Sequence, residues 1–122
     1  MYLVDTCGWI KLVTNGKLAH KFIPYLKFPK EVLVPTIIQF ELYKWLCREK
    51  SEAVALEVIG VTEQGKVVIL YTSLAMRAAS LAKQYKLAMA DAIIYAASQI
   101  HQAPLITSDK HFKDLPNVTF FS

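Results

Sequence analysis

The beginning of the chain decides the fold, because residues 1–14 read MYLVDTCGWIKLVT. The apolar run at residues 2–4 ends at the acid Asp5, and a helical spacing from Trp9 to Val13 follows at once. This pattern predicts a short buried strand that leads directly into a helix. In open α/β sheets, ligands bind outside the carboxyl ends of the strands, so Asp5 is the first candidate site residue.

Strand and helix patterns alternate along the rest of the chain. Further strands are predicted at residues 31–34, 66–70, 104–107 and 117–121, and helices at residues 17–26, 36–49, 51–60, 72–85 and 90–101. Thr36 with Gln39 three residues later has the spacing of a capping box, and Ser51 is a second candidate cap. Short apolar strands between helices predict a three-layer α/β/α domain around a central, mostly parallel five-stranded sheet.

The composition limits the class of protein. A chain of 122 residues is the size of one domain, and its 54% hydrophobic residues exclude an intrinsically disordered chain. No apolar run approaches the ~18 residues that a membrane-spanning helix requires. The N-terminus lacks the basic start and long apolar centre of a secretory signal. We therefore expect one domain, residues 1–122, that is cytoplasmic and has no membrane partner.

Cysteine and histidine residues do not form a recognisable metal pattern. Cys7 and Cys47 are far apart and outside any paired ligand spacing, so we expect free buried thiols. His20, His101 and His111 share no ligand spacing, which favours surface positions over a zinc site. The net charge of +4 is compatible with a polyanionic partner, although many ordinary enzymes are equally basic.

Four acids occupy positions at which they could converge. Asp5 directly follows the first strand, and Asp109 follows the strand at residues 104–107 after one intervening residue. Asp91 lies in the first turn of its predicted helix, and Glu41 lies beside the apolar stripe of another. Charged side chains are rarely buried unless they are paired or bound to a metal. Helix capping by the aspartates and a solvated rim position for Glu41 are the alternative interpretations.

A convergent set of carboxylates implies a particular chemistry. Their mutual repulsion raises their pKa values, so a cluster that stays ionised at neutral pH implies a bound cation. Oxygen ligands favour magnesium or manganese over zinc. Such an ion suits phosphodiester hydrolysis, because it lowers the pKa of bound water and stabilises charge on the phosphate oxygens.

Four segments together resemble a known family. They read LVDT at residues 3–6, PTIIQFEL at residues 35–42, ADAII at residues 90–94 and LITSDKHF at residues 105–112. Over essentially its whole length the chain resembles the PIN-domain ribonucleases, most closely the VapC-like toxins of prokaryotic toxin-antitoxin modules. The resemblance implies that the metal-binding and catalytic acids are Asp5, Glu41, Asp91 and Asp109, with the hydroxyl of Thr6 or Thr107 as a supporting group.

The resemblance also implies a cofactor and partners. It implies a Mg²⁺ or Mn²⁺ ion, RNA as substrate, a homodimer or higher even oligomer, and a cognate antitoxin that blocks the site. Cys7 departs from the family pattern, because a small polar residue is often found two positions after the first acid. Asp114 could supply a further acid, but we expect it to be a solvated loop residue.

Other functions fit the residues less well. A haloacid-dehalogenase-like phosphatase needs a second Asp at the position of Cys7, and a receiver domain needs an Asp after the third strand, where residues 70–72 read LYT. A PIN-like module that binds RNA or a protein without cutting is the non-enzymatic alternative, and retention of all four acids argues against it.

The central predicted helix also carries aromatic and basic residues. Phe40 and Trp45 could pack in the core or an interface, or stack on RNA bases. Three basic residues lie near the end of the helix, namely Lys44, Arg48 and Lys50. They could complement the helix dipole or contact phosphates.

Overall fold

Five short parallel strands form the centre of the domain in the computed structural model, which describes all 122 residues. The strands are β1 (Leu3–Val4), β2 (Leu33–Pro35), β3 (Lys66–Val68), β4 (Leu105–Thr107) and β5 (Val118–Phe120). Strands β1, β4 and β5 pair in that order, β2 pairs with β3, and a parallel bridge between Tyr2 and Val32 joins the two groups. The spatial order is therefore β3-β2-β1-β4-β5, and every pairing is parallel.

Six α-helices surround the sheet. They are α1 (Thr6–Thr14), α2 (Ala19–Leu26), α3 (Thr36–Glu49), α4 (Glu52–Thr62), α5 (Thr72–Tyr85) and α6 (Met89–Ile100). Short 3-10 turns occupy Pro29–Glu31 and Lys110–Phe112. The arrangement confirms the predicted three-layer α/β/α fold. None of the helices has the length and apolar character that crossing a membrane requires.

The core explains why this sequence folds as it does. Strands β1, β2 and β4 are buried throughout, as expected for central strands covered on both faces. Seven consecutive residues of α6, from Ala92 to Ser98, are also buried. Gly8 is required in α1, because a Cβ atom there would lie 2.6 Å from side-chain atoms of both Val4 and Phe22.

Three local predictions were wrong. Thr36 does not cap α3; Pro35 is the N-cap residue, and the Gln39 amide instead donates to Thr62 Oγ1 (3.1 Å) and Glu63 Oε1 (3.0 Å) on the end of α4. Strand β3 ends at Val68, not at residue 70, because its partner strand ends at Pro35, which pairs with Val68. The helix predicted from residue 17 begins two residues later, at Ala19.

Candidate active site

The two strand-end acids lie at the same edge of the sheet. Strands β1 and β4 are neighbours in register, with Val4 opposite Ile106, so Asp5 and Asp109 both follow them at their carboxyl ends. Asp5 is buried, with 4% of its surface exposed. The hydroxyl of Thr107 donates to Asp5 Oδ2 at 2.7 Å and accepts from the backbone N–H of Asp109 at 2.9 Å. One side chain at the end of β4 thus connects the two acids.

Glu41 approaches the same edge from α3. The hydroxyl of Thr6, the first residue of α1, donates to Glu41 Oε1 at 2.6 Å. The backbone N–H of Thr6 donates to Asp5 Oδ1 at 2.8 Å. Thr6 therefore holds Glu41 next to Asp5, although the two acids are 36 residues apart in sequence.

Asp91 completes the group from the first turn of α6. Its Oδ2 lies 3.0 Å from Nδ1 of His111, and the same nitrogen lies 3.4 Å from Asp109 Oδ1. The backbone N–H of His111 also donates to Asp109 Oδ1 at 2.9 Å. One potential ligand atom from each of Asp91, Asp109 and His111 lies within 4.8 Å of the other two.

The pKa values reflect both burial and mutual repulsion. The pKa of Asp5 is raised from 3.8 to about 7, and burial is the largest cause. The hydrogen bonds with Thr107 and Thr6 act in the opposite direction, and the charges of Glu41 and Asp109 contribute to the rise. Burial also raises the pKa of Glu41, and the charges of Asp91 and Asp109 act in the same direction. These carboxylates therefore interact electrostatically, as a convergent cluster must.

The contact between Asp91 and His111 favours the charged form of both side chains. Burial raises the pKa of Asp91, the hydrogen bond with His111 lowers it, and the charge of Asp109 raises it. The hydrogen bond with Asp91, followed by the charges of Asp109 and Asp91, raises the pKa of His111. A positive charge is thus stabilised at this edge.

The residues present fit a divalent cation. The donors are carboxylate oxygens with an imidazole at the rim, and oxygen-rich sets of this kind suit Mg²⁺ or Mn²⁺. Asp5 and Asp109 also accept hydrogen bonds from backbone N–H groups as N-cap residues. These two acids therefore act as caps and belong to the cluster at the same time. Asp91 makes no cap hydrogen bond.

Cys7 occupies the position of the expected small polar residue and makes polar contacts there. Its Sγ accepts from both the backbone N–H and the hydroxyl of Ser108 at 3.4 Å, and it lies 3.7 Å from Asp5 Oδ2. Burial and the charge of Asp5 raise the pKa of the thiol. Both cysteines are free, as predicted, but half-buried instead of buried.

Sequence reasoning missed the place of His111. It was expected on the surface, and its side chain is 70% exposed, yet the ring contacts two of the four acids. Its position two residues after Asp109, in the turn that Asp109 caps, was the available signal. His20 is exposed and His101 is half-buried, and neither lies with His111 in a group that could hold a metal. Asp114 is exposed, as predicted.

The PIN-domain family model matches residues 2–118. The chain is a member of the PIN-domain family. This match covers strands β1 to β4, the first residue of β5 and all four candidate acids. No curated protein sequence matches this PIN domain significantly.

Solved structures give the same assignment. The chain is 25% identical to a chain of a toxin-antitoxin complex from Klebsiella pneumoniae, with a TM-score of 0.83 over 98% of this chain and 96% of that one. A chain of VapBC2 from Rickettsia felis, bound to a promoter DNA fragment, has a TM-score of 0.73 at 14% identity over 98% and 96% of the two chains. VapC20 of Mycobacterium tuberculosis, a sarcin-ricin loop cleaving toxin, has a TM-score of 0.71 at 17% identity over 85% of each chain. This PIN domain is thus VapC-like in fold.

Proposed function

We propose that this PIN domain is a metal-dependent endoribonuclease that hydrolyses RNA phosphodiester bonds. The observation that carries the proposal is the convergence of Asp5, Glu41, Asp91 and Asp109 at the carboxyl edge of a PIN-fold sheet. These four acids would hold Mg²⁺ or Mn²⁺. The bound ion would supply a water of lowered pKa and positive charge for the phosphate oxygens.

The surrounding side chains prepare the carboxylates for this role. Thr107 and the backbone of Thr6 donate to the two oxygens of Asp5, and the Thr6 hydroxyl donates to one oxygen of Glu41. A carboxylate oxygen has two lone pairs, so each acid can still accept a ligand. His111 lies at the exposed rim, where its imidazolium offsets the charges of Asp91 and Asp109 when no ion is bound. The cluster can therefore exist without a cation, with protons and His111 balancing the repulsion.

We also propose that the protein is the toxin of a toxin-antitoxin pair in the cytoplasm. Structural neighbours from three organisms come from toxin-antitoxin or VapBC complexes. A cognate antitoxin would act by covering the carboxylate edge. Exposed apolar side chains, including Leu70 and Met89, offer surface for a second copy in a homodimer or higher even oligomer.

The test is cleavage of labelled structured RNAs by the purified protein in Mg²⁺, in Mn²⁺ and in chelator. We expect cleavage with metal only. Asp91→Asn should reduce the rate at least 100-fold while the protein stays folded, because a metal ligand is lost. Asp114→Asn, which removes the same charge from an exposed loop, is the matched control and should cleave normally. RNA that binds equally well to wild type and Asp91→Asn, with no cleavage in any metal, would establish the binding-module alternative.

A further inference from the structure

A groove leads away from the carboxylate cluster between α1 and α3. It has a volume of about 290 Å³ and begins at Thr6 and Glu41, the pair joined by the 2.6 Å hydrogen bond. Ile10 of α1 forms one wall, and the α3 residues Phe40, Lys44, Trp45 and Arg48 form the other. We call it the α1–α3 groove.

Two aromatic side chains line the α1–α3 groove. Phe40 is 60% exposed, although a phenyl ring gains free energy from burial, and Trp45 is half-buried against the core. The Lys44 Nζ lies 6.0 Å from the centroid of the Phe40 ring. Exposed aromatic rings flanked by cations are the feature by which proteins stack unpaired bases.

Two basic side chains line the groove beyond Glu41 along α3. Lys44 and Arg48 are exposed; Lys44 forms no ion pair, and Arg48 contacts only Glu49, at 3.7 Å on the surface. Such an exposed pair contributes little and leaves the guanidinium available. Arg48 is seven residues beyond Glu41, which corresponds to about 10 Å along the helix axis. Phosphates on either side of a bound base could therefore reach these cations while another phosphate lies at the carboxylates.

A second groove provides a contrast. It has a volume of about 400 Å³ between α5 and α6, and all eight of its lining residues are apolar. That surface suits a protein partner, whereas the α1–α3 groove combines aromatic rings with two exposed cations. Charge complementarity favours a polyanion there.

We propose that the α1–α3 groove binds an unpaired nucleotide of the RNA next to the scissile bond. The base stacks on Phe40 and Trp45, and the adjoining phosphates contact Lys44 and Arg48. This inference rests on the proposed ribonuclease function and adds a specificity subsite to it. Since a paired base cannot leave its stack without a cost in free energy, loops and single strands bind better than duplex RNA.

The test measures RNA binding without cleavage, in an Asp91→Asn background. Fluorescence anisotropy follows a labelled single-stranded RNA oligonucleotide and the same strand annealed to its complement, across a series of salt concentrations. Trp45→Leu should weaken single-strand binding about tenfold, because one stacking contact is lost. The double variant Lys44→Gln/Arg48→Gln should reduce the slope of log K against log salt by about 1.4, because two phosphate contacts are lost.

The matched control is Lys30→Gln/Lys83→Gln, which removes the same charge from exposed positions outside the groove. It should retain the wild-type slope. Both double variants change only exposed side chains, so the comparison does not depend on how Trp45→Leu folds. Equal slopes for the two double variants would overturn the proposal. A wild-type protein that cleaves no RNA would instead refute the proposed function. The binding measurement does not depend on cleavage, so the two failures can be distinguished.

Discussion

Thr107 shows how one hydroxyl group organises several atoms of the carboxylate cluster. It is fully buried at the end of β4, donates to Asp5 and accepts from the backbone of Asp109. Its hydrogen bond lowers the pKa of Asp5 against the larger effect of burial. The hydroxyl therefore favours the ionised form that a cation needs.

Replacing Thr107 with valine removes this hydroxyl and keeps the shape. We expect Thr107→Val to raise the pKa of Asp5 further and to lower the free energy of unfolding by about 1–3 kcal/mol, because a buried acceptor and a backbone donor lose their partner. NMR titration of the Asp5 carboxyl carbon and urea unfolding measure the two effects. Thr107→Ser keeps the hydroxyl and should restore the pKa; a serine variant as perturbed as the valine variant would contradict this role.

Single residues also show what the sequence could and could not reveal. Asp5 and Asp109 were predictable as neighbours, because the carboxyl ends of parallel strands meet at one edge. The contact between Cys7 and Ser108 was not, since it depends on how the turn after β4 folds over α1. The contact of His111 with Asp91 depends on the same turn. The hydrophobic periodicity of the sequence does not predict the conformation of that turn.

The helices illustrate the difference between a local signal and a tertiary one. Ser51 caps α4, and its hydroxyl accepts from the backbone N–H of Val54 at 3.1 Å, as the sequence predicts. Thr36 carries an equally good local signal but lies inside α3, because β2 runs directly into the helix through Pro35. The boundary between β2 and α3 is therefore set by the pairing of β2 with β3 and not by local helix propensity.

The two candidate caps give a paired prediction. Ser51→Ala should lower the free energy of unfolding by about 1 kcal/mol, because an N-cap hydrogen bond is lost. Thr36→Val removes a hydroxyl that caps nothing and should change the free energy by less than about 0.5 kcal/mol. Urea unfolding measures both, and a cost for Thr36→Val equal to that for Ser51→Ala would mean that α3 begins with the capping box after all.

The whole molecule has a net charge of +4 and yet gathers four acids at one edge of its sheet. The layer architecture followed from the alternation of strands and helices, whereas the helix contacts that bring Glu41 and Asp91 to this edge depend on packing. The raised pKa values give the folded protein without metal a characteristic dependence of stability on pH.

We expect the metal-free protein to become less stable as the pH rises. The pKa of Asp5 is 3.8 in the unfolded chain and about 7 in the folded one, so the folded state binds more protons between these values. This contribution is complete below 3.8 and is lost as the pH rises through 7. The raised pKa values of Glu41, Asp91 and His111 act in the same direction.

Urea unfolding in chelator at several pH values measures this dependence. Each unit by which the folded and unfolded pKa values differ corresponds to about 1.4 kcal/mol. Asp5→Asn should flatten the curve, because its amide does not ionise. Added Mg²⁺ should restore stability most at high pH, where the carboxylates are ionised. A wild-type slope from pH 4 to pH 7 equal to that of Asp5→Asn would show that the pKa of Asp5 is not raised in the folded state.

Titration of Mn²⁺ into the metal-free protein, followed by isothermal calorimetry at pH 7.5, tests the carboxylate cluster most directly. We expect wild type and Asp114→Asn to bind the ion with the same affinity, and Asp91→Asn to bind it at least tenfold more weakly. Equal affinity in all three proteins would contradict the assignment of the four acids as the metal site.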